Sequence, residues 1–135
     1  MKKRHLNAPK EGEFLYDYSH DILTFRIKNR NYKKSVEFQN FVIDIDEEDF
    51  VTGMRVFDAS QVFGVDNYVL KNIVHGEFKA SVENKVITIT FKFIAKHRNR
   101  IIPLLTEKEN ITQQLTAPLG HNKLEETSVM CAVKA

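Results

Sequence analysis

The chain has 135 residues, the length of one ordinary domain. Its 20 basic and 18 acidic residues leave a net charge of +2, which excludes the strongly basic composition typical of a dedicated nucleic-acid binder. The single cysteine excludes an internal disulfide framework and a cysteine-based zinc site within one chain.

The first predicted elements are a flexible segment and a β-hairpin. Residues 1–12 are polar and include Pro9, so we expect a flexible N-terminus there. Leu23, Phe25 and Ile27 then alternate with polar residues, which is the period of a half-buried strand. Residues 14–18 are its predicted hairpin partner, with the turn at Ser19 and His20.

A second hairpin follows, and its apolar pattern selects one register. Ile43 lies opposite Met54, and Asp46 pairs with Val51 across the loop. This register gathers the apolar side chains on one face and leaves Asp44 and Asp46 on the polar, water-facing side. The same register sets Phe41 opposite Val56.

Two short helices are predicted after this hairpin. Asp58 and Gln61 have the spacing of a capping box, so a helix should begin at Ala59. Gly64 is placed to end that helix, and Asp66 is placed to cap a second one that runs to about residue 72.

The second half of the chain also shows strand patterns. A turn at Asn84 and Lys85 places Val82 opposite Ile87 and continues an apolar pairing along both strands. Later segments are less distinct. Residues 100–105 and 128–133 fit strands, residues 118–122 fit a loop, and residues 107–114 fit either a polar helix or a strand.

These elements predict an α+β chain that is mainly β. We expect an antiparallel sheet or two packed meanders, with one or two short helices after the fifth strand. The predicted parts form one structural unit. They are the flexible residues 1–12, a meander with a short helix over residues 13–72, and a β-rich extension over residues 73–135.

An ordered set of short motifs runs through the first half. The motifs are Tyr16-Asp17, Asp21-Ile22-Leu23, Ser35-Val36-Glu37, Val42-Ile43-Asp44-Ile45-Asp46 and Gly53-Met54-Arg55-Val56-Phe57-Asp58-Ala59-Ser60. In order and spacing, residues 14–62 resemble the family called domain of unknown function 2283. The resemblance implies a compact β-meander closed by a short helix, no established activity, and a small partner protein suggestive of an antitoxin. Glu48-Asp49 and Arg55 depart from the glycine and the glutamate usual in that family.

The acidic residues of the second hairpin are the candidates for a metal site. Asp44 and Asp46 begin a cluster that continues through residues 47–49, and oxygen-rich loops bind calcium or magnesium. The EF-hand spacing fails, because the twelfth position is Arg55 instead of glutamate. Asp44 lies diagonal to Arg55 in the predicted register. A solvated hairpin tip with one surface ion pair is therefore the favoured interpretation, with no metal or other cofactor.

Two basic runs without acids are the candidates for binding a phosphate backbone. They span residues 26–34 and 92–100. Binding requires several such charges on one face, whereas loops between strands are commonly basic without any ligand. The candidate nucleic-acid-binding residues are Arg26, Lys28, Arg30, Lys33, Lys34, Lys96, His97, Arg98 and Arg100.

The sequence predicts no catalytic residue and no enzyme. The five histidines are dispersed without the spacing of metal ligands. Cys131 lies in an apolar stretch typical of a buried strand. No nucleophile elbow, phosphate-binding loop or dinucleotide fingerprint occurs in the sequence.

The leading hypothesis is a non-catalytic protein-interaction module, either antitoxin-like or a homodimer. Antiparallel sheets leave edges that pair with another copy or another chain. One alternative is a nucleic-acid-associated protein that uses both basic runs, and a third is a metal-binding protein or metal-assisted hydrolase at Asp44 and Asp46. No apolar run approaches the roughly 20 residues of a membrane span, and no signal segment is recognised, so we expect a cytoplasmic protein without membrane contact.

Overall fold

The structure, a computed structural model, describes residues 3–8, 12–98, 101–102, 104 and 106–134. Within these residues, strands are separated by turns and by two short helices. The strands are β1 (Arg4–Ala8), β2 (Gly12–Asp17), β3 (Ile22–Ile27), β4 (Tyr32–Glu37), β5 (Phe41–Asp46), β6 (Val51–Val56), β7 (Ile73–Glu83), β8 (Val86–Arg98), β9 (Thr106–Pro118) and β10 (Thr127–Lys134). The helices are α1 (Ala59–Phe63) and α2 (Asn67–Lys71). Among the described residues, neither helix has the length or the hydrophobicity of a membrane-spanning helix.

The strands form two five-stranded sheets. The meander sheet has the order β2-β3-β6-β5-β4, and the long sheet has the order β1-β10-β7-β8-β9. Neighbouring strands are antiparallel except for β1 and β10, which are parallel. The predicted class is confirmed, since the chain is mainly β, with two antiparallel-rich sheets and two short helices that follow β6.

The two sheets pack together around one apolar core. Phe25 of the meander sheet stacks on Phe78 of the long sheet, with ring centroids 4.5 Å apart. Phe63 of α1 meets Phe91 edge-on at 5.4 Å, so the first helix contributes to the same core. Burial of these large rings removes much apolar surface from water, which is the main favourable term in folding.

The N-terminal segment contains a strand that the sequence pattern does not predict. β1 pairs with β10, with Arg4 opposite Thr127, and the Arg4 guanidinium lies 4.6 Å from the centre of the Phe50 ring. The flexible segment expected for residues 1–12 therefore does not describe residues 4–8, while residues 1–2 and 9–11 lie outside the described part of the chain. The period-two signal is weak here because the packing of β1 on the core rests on Leu6.

The predicted register of the β5–β6 hairpin is right at one end and wrong at the other. Ile43 lies opposite Met54, as predicted. Beyond Asp44, a β-bulge shifts the ladder, so that Val51 pairs with Ile45 instead of with Asp46. A bulge re-aims the side chains beside it. The expectation that Asp46 faces water is therefore wrong, since its side chain is only 1% exposed.

The β7–β8 hairpin follows its predicted register throughout. Val82 pairs with Ile87, and the turn residues Asn84 and Lys85 have φ values of 52° and 63°, as a two-residue type I′ turn requires. Residues 107–114, which fitted either a helix or a strand, lie within β9.

The predicted strand over residues 100–105 is not present in the described part of that segment. Residues 101–102 form a bend, and residues 100, 103 and 105 lie outside the described residues.

α1 begins at the predicted residue but is capped by a different aspartate. Asp58 has a φ of 52° and its side chain makes no capping hydrogen bond, so the predicted capping box is wrong. The carboxylate of Asp21, in the turn between β2 and β3, instead accepts hydrogen bonds from the Ser60 backbone N–H at 3.0 Å and hydroxyl at 2.6 Å. Gly64 ends α1 and Asp66 caps α2, both as predicted.

Candidate functional site

Asp46, one of the two predicted metal candidates, is held inside the tip of the β5–β6 hairpin. Its Oδ2 accepts a hydrogen bond from Arg30 Nε at 2.7 Å and lies 2.7 Å from Arg30 Nη2 in the same ion pair. Its Oδ1 accepts from the backbone N–H groups of Glu48 and Phe50, both at 2.9 Å. A carboxylate has about four acceptor positions. Two backbone N–H groups and the Arg30 guanidinium therefore occupy this carboxylate, so Asp46 anchors the hairpin tip to the loop before β4.

Asp44, the other metal candidate, lies on the outer face of the meander sheet. Its Oδ1 accepts a hydrogen bond from the Ser35 hydroxyl at 2.7 Å and lies 3.5 Å from Arg55 Nη2, so the predicted ion pair is confirmed. A Cβ at Gly53 would lie 2.9 Å from Asp44 Oδ2, so the glycine leaves room for this carboxylate. The two aspartates therefore bind different groups. Among the described residues, no three His, Cys, Asp or Glu side chains form a group that could hold a metal ion.

The first basic run does not form one cationic face, because acids neutralise most of it. The hydrogen bond from Lys33 to Asp49, at 2.9 Å, holds the pKa of Asp49 below its usual range and raises that of Lys33. Lys28 is exposed and Lys34 is half-buried. The ion pairs in this run are Arg26–Glu13, Arg30–Asp46, Arg30–Glu48 and Lys33–Asp49.

The second basic run lies along β8, where successive side chains point to opposite faces of the long sheet. Lys92, Lys96 and Arg98 alternate and are exposed on the outer face. His97 points the other way, is 9% exposed, and meets the Tyr68 ring edge-on at 5.5 Å. The structure therefore separates His97 from the other predicted nucleic-acid-binding residues, and Arg100 lies outside the described residues.

Neighbouring strands add two lysines that the sequence analysis does not single out. The register places Lys108 of β9 beside Lys96, and places Lys79 of β7 on the same outer face. Among the described residues, neither lysine makes an ion pair. Only the strand pairing reveals this grouping, since Lys79, Lys92 and Lys108 are far apart in sequence. We call Lys79, Lys92, Lys96, Arg98 and Lys108 the basic face.

β9 is a long edge strand. It runs for 13 residues along β8 and is the last strand of the long sheet, so its outer backbone groups have no strand partner among the described residues. Edge strands are usually protected by charged side chains, prolines or bulges. Residues 110–117 contain no charged residue and no proline, and the ladder with β8 is regular throughout.

Tyr16, Asp21 and Cys131 serve the fold. Tyr16 donates a hydrogen bond of 2.5 Å to Asp21, and burial together with this bond raises the pKa of Tyr16 well above its usual value. Burial alone would raise the pKa of Asp21, but hydrogen bonds from Ser60 and Tyr16 outweigh it and lower that pKa. Cys131 is fully buried in β10, as its apolar setting predicts.

His20 lies in the turn between β2 and β3, close to its predicted position. Its Nδ1 lies 2.9 Å from an Asp17 carboxylate oxygen, and this hydrogen bond lowers the pKa of Asp17. The pair is exposed.

Comparison with known proteins places the chain among archaeal relatives. A protein of Methanocaldococcus jannaschii, named as uncharacterised, is 30% identical over 102 residues, which cover 74% of this chain and 84% of that protein. A protein of Methanosarcina mazei, named as a candidate hypoxanthine phosphoribosyltransferase, is 29% identical over 87 residues, covering 64% of this chain and 71% of that protein. No solved structure matches the chain. Residues 14–60 match the family described as protein of unknown function (DUF2283), and the chain belongs to that family.

Proposed function

We propose that the chain is a non-catalytic protein-interaction module that forms a homodimer by pairing β9 with β9 of a second copy. The observation that carries the proposal is the outer edge of β9. β9 is 13 residues long and pairs with β8 on one side, and its other side has no strand partner among the described residues. Added strands bind such edges through main-chain hydrogen bonds.

The side chains of β9 favour an antiparallel pairing with an identical strand. If the two-fold axis passes through Thr112, Asn110 of one copy lies opposite Gln114 of the other, and Lys108 lies opposite Thr116. No like charges then face each other, which removes the usual penalty for pairing identical edges. The pairing also satisfies the two-fold symmetry that most homodimers have.

The proposal that the chain is non-catalytic is supported by the contacts of the side chains that could otherwise take part in catalysis. Asp44, Asp46 and Asp21 each bind donors of the fold, and Cys131 is 0% exposed. The name of the Methanosarcina relative offers an enzymatic alternative. An assay for transfer of a phosphoribosyl group to hypoxanthine tests it, and product formed by the pure protein would overturn the non-catalytic proposal.

The dimer is tested by light scattering on the purified chain over a range of concentrations. Successive amides of an edge strand point alternately toward the sheet and away from it. Of the variants Gln113→Pro and Gln114→Pro, one therefore breaks the β8–β9 ladder and the other blocks only the outer edge. We expect the thermally more stable of the two to be folded and monomeric.

Charge substitutions test the register. Thr112→Lys puts two lysines opposite each other on the axis and should weaken the dimer, whereas Thr116→Glu lies opposite Lys108 and should preserve or tighten it. Both side chains are exposed, so neither change should unfold the monomer. A parent protein that is monomeric at every concentration, or a dimer that the folded proline variant leaves intact, would refute self-association. An antitoxin-like partner would appear instead as a stable complex with a different chain.

The basic face supports a second candidate function, binding to nucleic acid. Five cations lie on one sheet face, with Glu77 as the acid that the register places beside Lys92. Affinity for an oligonucleotide should fall with salt, and removal of one phosphate contact by Lys92→Ala should reduce the log–log salt slope by about 1. Lys28→Ala, in the neutralised first run, is the matched control. Undetectable binding at low salt excludes this candidate.

A further inference from the structure

A cleft of about 820 Å³ opens where the ends of the two sheets meet. It is bounded by the start of β4, the β5–β6 turn, the β7–β8 turn and the connection from β9 to β10. We call it the lysine cleft, after Lys33, Lys34, Lys85 and Lys123, which line it. Its volume lies in the range of small-molecule sites, about 300–1,000 Å³.

A β-bulge brings two consecutive lysines to the cleft. In a regular strand, Lys33 and Lys34 would point to opposite faces. The β4–β5 ladder is shifted between Tyr32 and Lys34, and both Lys33 and Lys34 line the cleft. Bulges of this kind re-aim side chains beside functional sites.

The charges of the lysine cleft leave an excess of cations. Asp49 is bound by Lys33 at 2.9 Å, and Glu125 is bound by Arg4 at 2.8 Å. Lys34, Lys85 and Lys123 make no ion pair with the described residues, and His121 lines the same cleft. Of the three acids that line the cleft, Glu126 is the one that makes no ion pair with the described residues. An anion entering the cleft would therefore meet several ammonium groups.

The cleft also has an apolar part. Val82 and Leu119 line it and are 2% and 4% exposed, and the half-buried Leu124 packs against the core beside them. A site that combines an apolar lining with a few convergent charged groups suits a ligand with an apolar body and a charged end. Lysine ammonium groups bind phosphate as point charges.

We propose that the lysine cleft binds a phosphorylated small molecule that has an apolar or aromatic body. Lys34, Lys85 and Lys123 hold the phosphate, and Val82, Leu119 and Leu124 contact the body. The proposal does not depend on dimerisation or on the basic face, since the residues of the cleft belong to neither.

Backbone amide shifts of the full chain test the site with three probes: AMP, inorganic phosphate and adenosine. AMP should produce saturable shifts at residues 119–126 and near Lys34 and Lys85. Inorganic phosphate should shift the same amides with weaker affinity, and adenosine should bind more weakly than AMP because it lacks the charge. Absence of saturable shifts with AMP, or equal affinity for adenosine, would overturn the proposal.

Variants separate specific binding from general attraction to a cationic protein. Lys34→Ala and Lys85→Ala should each raise the Kd for AMP about tenfold, because each variant loses one charge-assisted hydrogen bond to the phosphate. Lys28→Ala, at an exposed position outside both the cleft and the basic face, removes the same charge elsewhere and should leave that Kd unchanged. An equal rise in Kd in the control would show attraction by net charge alone and refute the assigned site. Lys85 is an exposed turn residue, so a folded variant is expected.

Discussion

The two sheets use charge in opposite ways. In the meander sheet, Asp46 and Asp44 bind Arg30 and Arg55, and Asp21 caps the following helix. In the long sheet, the apolar register organises the strands, and the lysines of the outer face make no ion pair with the described residues. The acidic residues that stand out in the sequence therefore stabilise the fold, whereas the cations on the outer face of the long sheet have no acidic partner among the described residues.

The strongest test of this comparison is Asp46→Ala. Removing the carboxylate leaves Arg30 partly buried without its main partner and frees two backbone N–H groups of the hairpin tip. Loss of one partner of a buried pair should lower the free energy of unfolding by about 3–5 kcal/mol, measured by urea denaturation. A loss below 1 kcal/mol, the scale of exposed pairs, would contradict the structural role of Asp46.

The corresponding test in the long sheet is Gly76→Ala. A Cβ at this position would lie 2.7 Å from the Phe93 ring, so the ring must move within the core. Overpacking of this kind should lower the free energy of unfolding by about 1–3 kcal/mol. A second change, Phe93→Leu, removes the clash. The two effects should then combine to less than their sum in a double-mutant cycle.

Asp21→Asn tests the meander sheet through the pH dependence of its stability. The folded-state pKa of Asp21 is lowered, so the charged carboxylate stabilises the fold fully above its unfolded pKa, and this contribution is lost as pH falls through the folded pKa. At neutral pH the variant should lose about 1 kcal/mol, because its amide oxygen can still accept from the Ser60 N–H but its NH2 group cannot accept from the Ser60 hydroxyl. The difference between parent and variant should shrink in acid.

The matched control for that variant is Asp58→Asn. Asp58 stands at the sequence position of the cap, but its side chain makes no capping bond. Asparagine tolerates the left-handed backbone of this residue, so little change in stability is expected. A larger loss from Asp58→Asn than from Asp21→Asn would reverse the assignment of the cap.

Apart from that control, Asp44→Ala should give the smallest loss of stability. The Asp44–Arg55 pair is partly exposed and its atoms are 3.5 Å apart. Its loss should cost about 1 kcal/mol or less in thermal or urea unfolding. Added salt should reduce the difference further, because exposed charges are screened.

Local patterns predicted the fold where one apolar face decided the pairing. The β7–β8 register and the Ile43–Met54 pair follow from alternation alone. Alternation did not predict the bulge between β5 and β6. Asp46 is buried there by its bond to Arg30, which lies in the loop before β4. The predicted capping box was wrong for a similar reason. The aspartate that caps α1 is Asp21, which is distant in sequence from Ser60.

The candidate sites were predictable only in part. Alternation in β8 places Lys96 and Arg98 on one face, but Lys79 and Lys108 join them only through strand pairing. The lysine cleft combines four separate segments, and no spacing in the sequence connects Lys34 with Lys85. Tertiary proximity of this kind has no local signal in a single sequence.

The parallel pairing of β1 with β10 has a consequence for the order of folding. The two strands lie near opposite ends of the described chain, so their contact closes a very long loop, whereas the β7–β8 hairpin closes through a two-residue turn. Local hairpins form early, and distant pairings follow. During synthesis, β7 therefore presents an open edge until β10 leaves the ribosome. Pulsed hydrogen exchange should show protection in the β7–β8 amides before protection in β1.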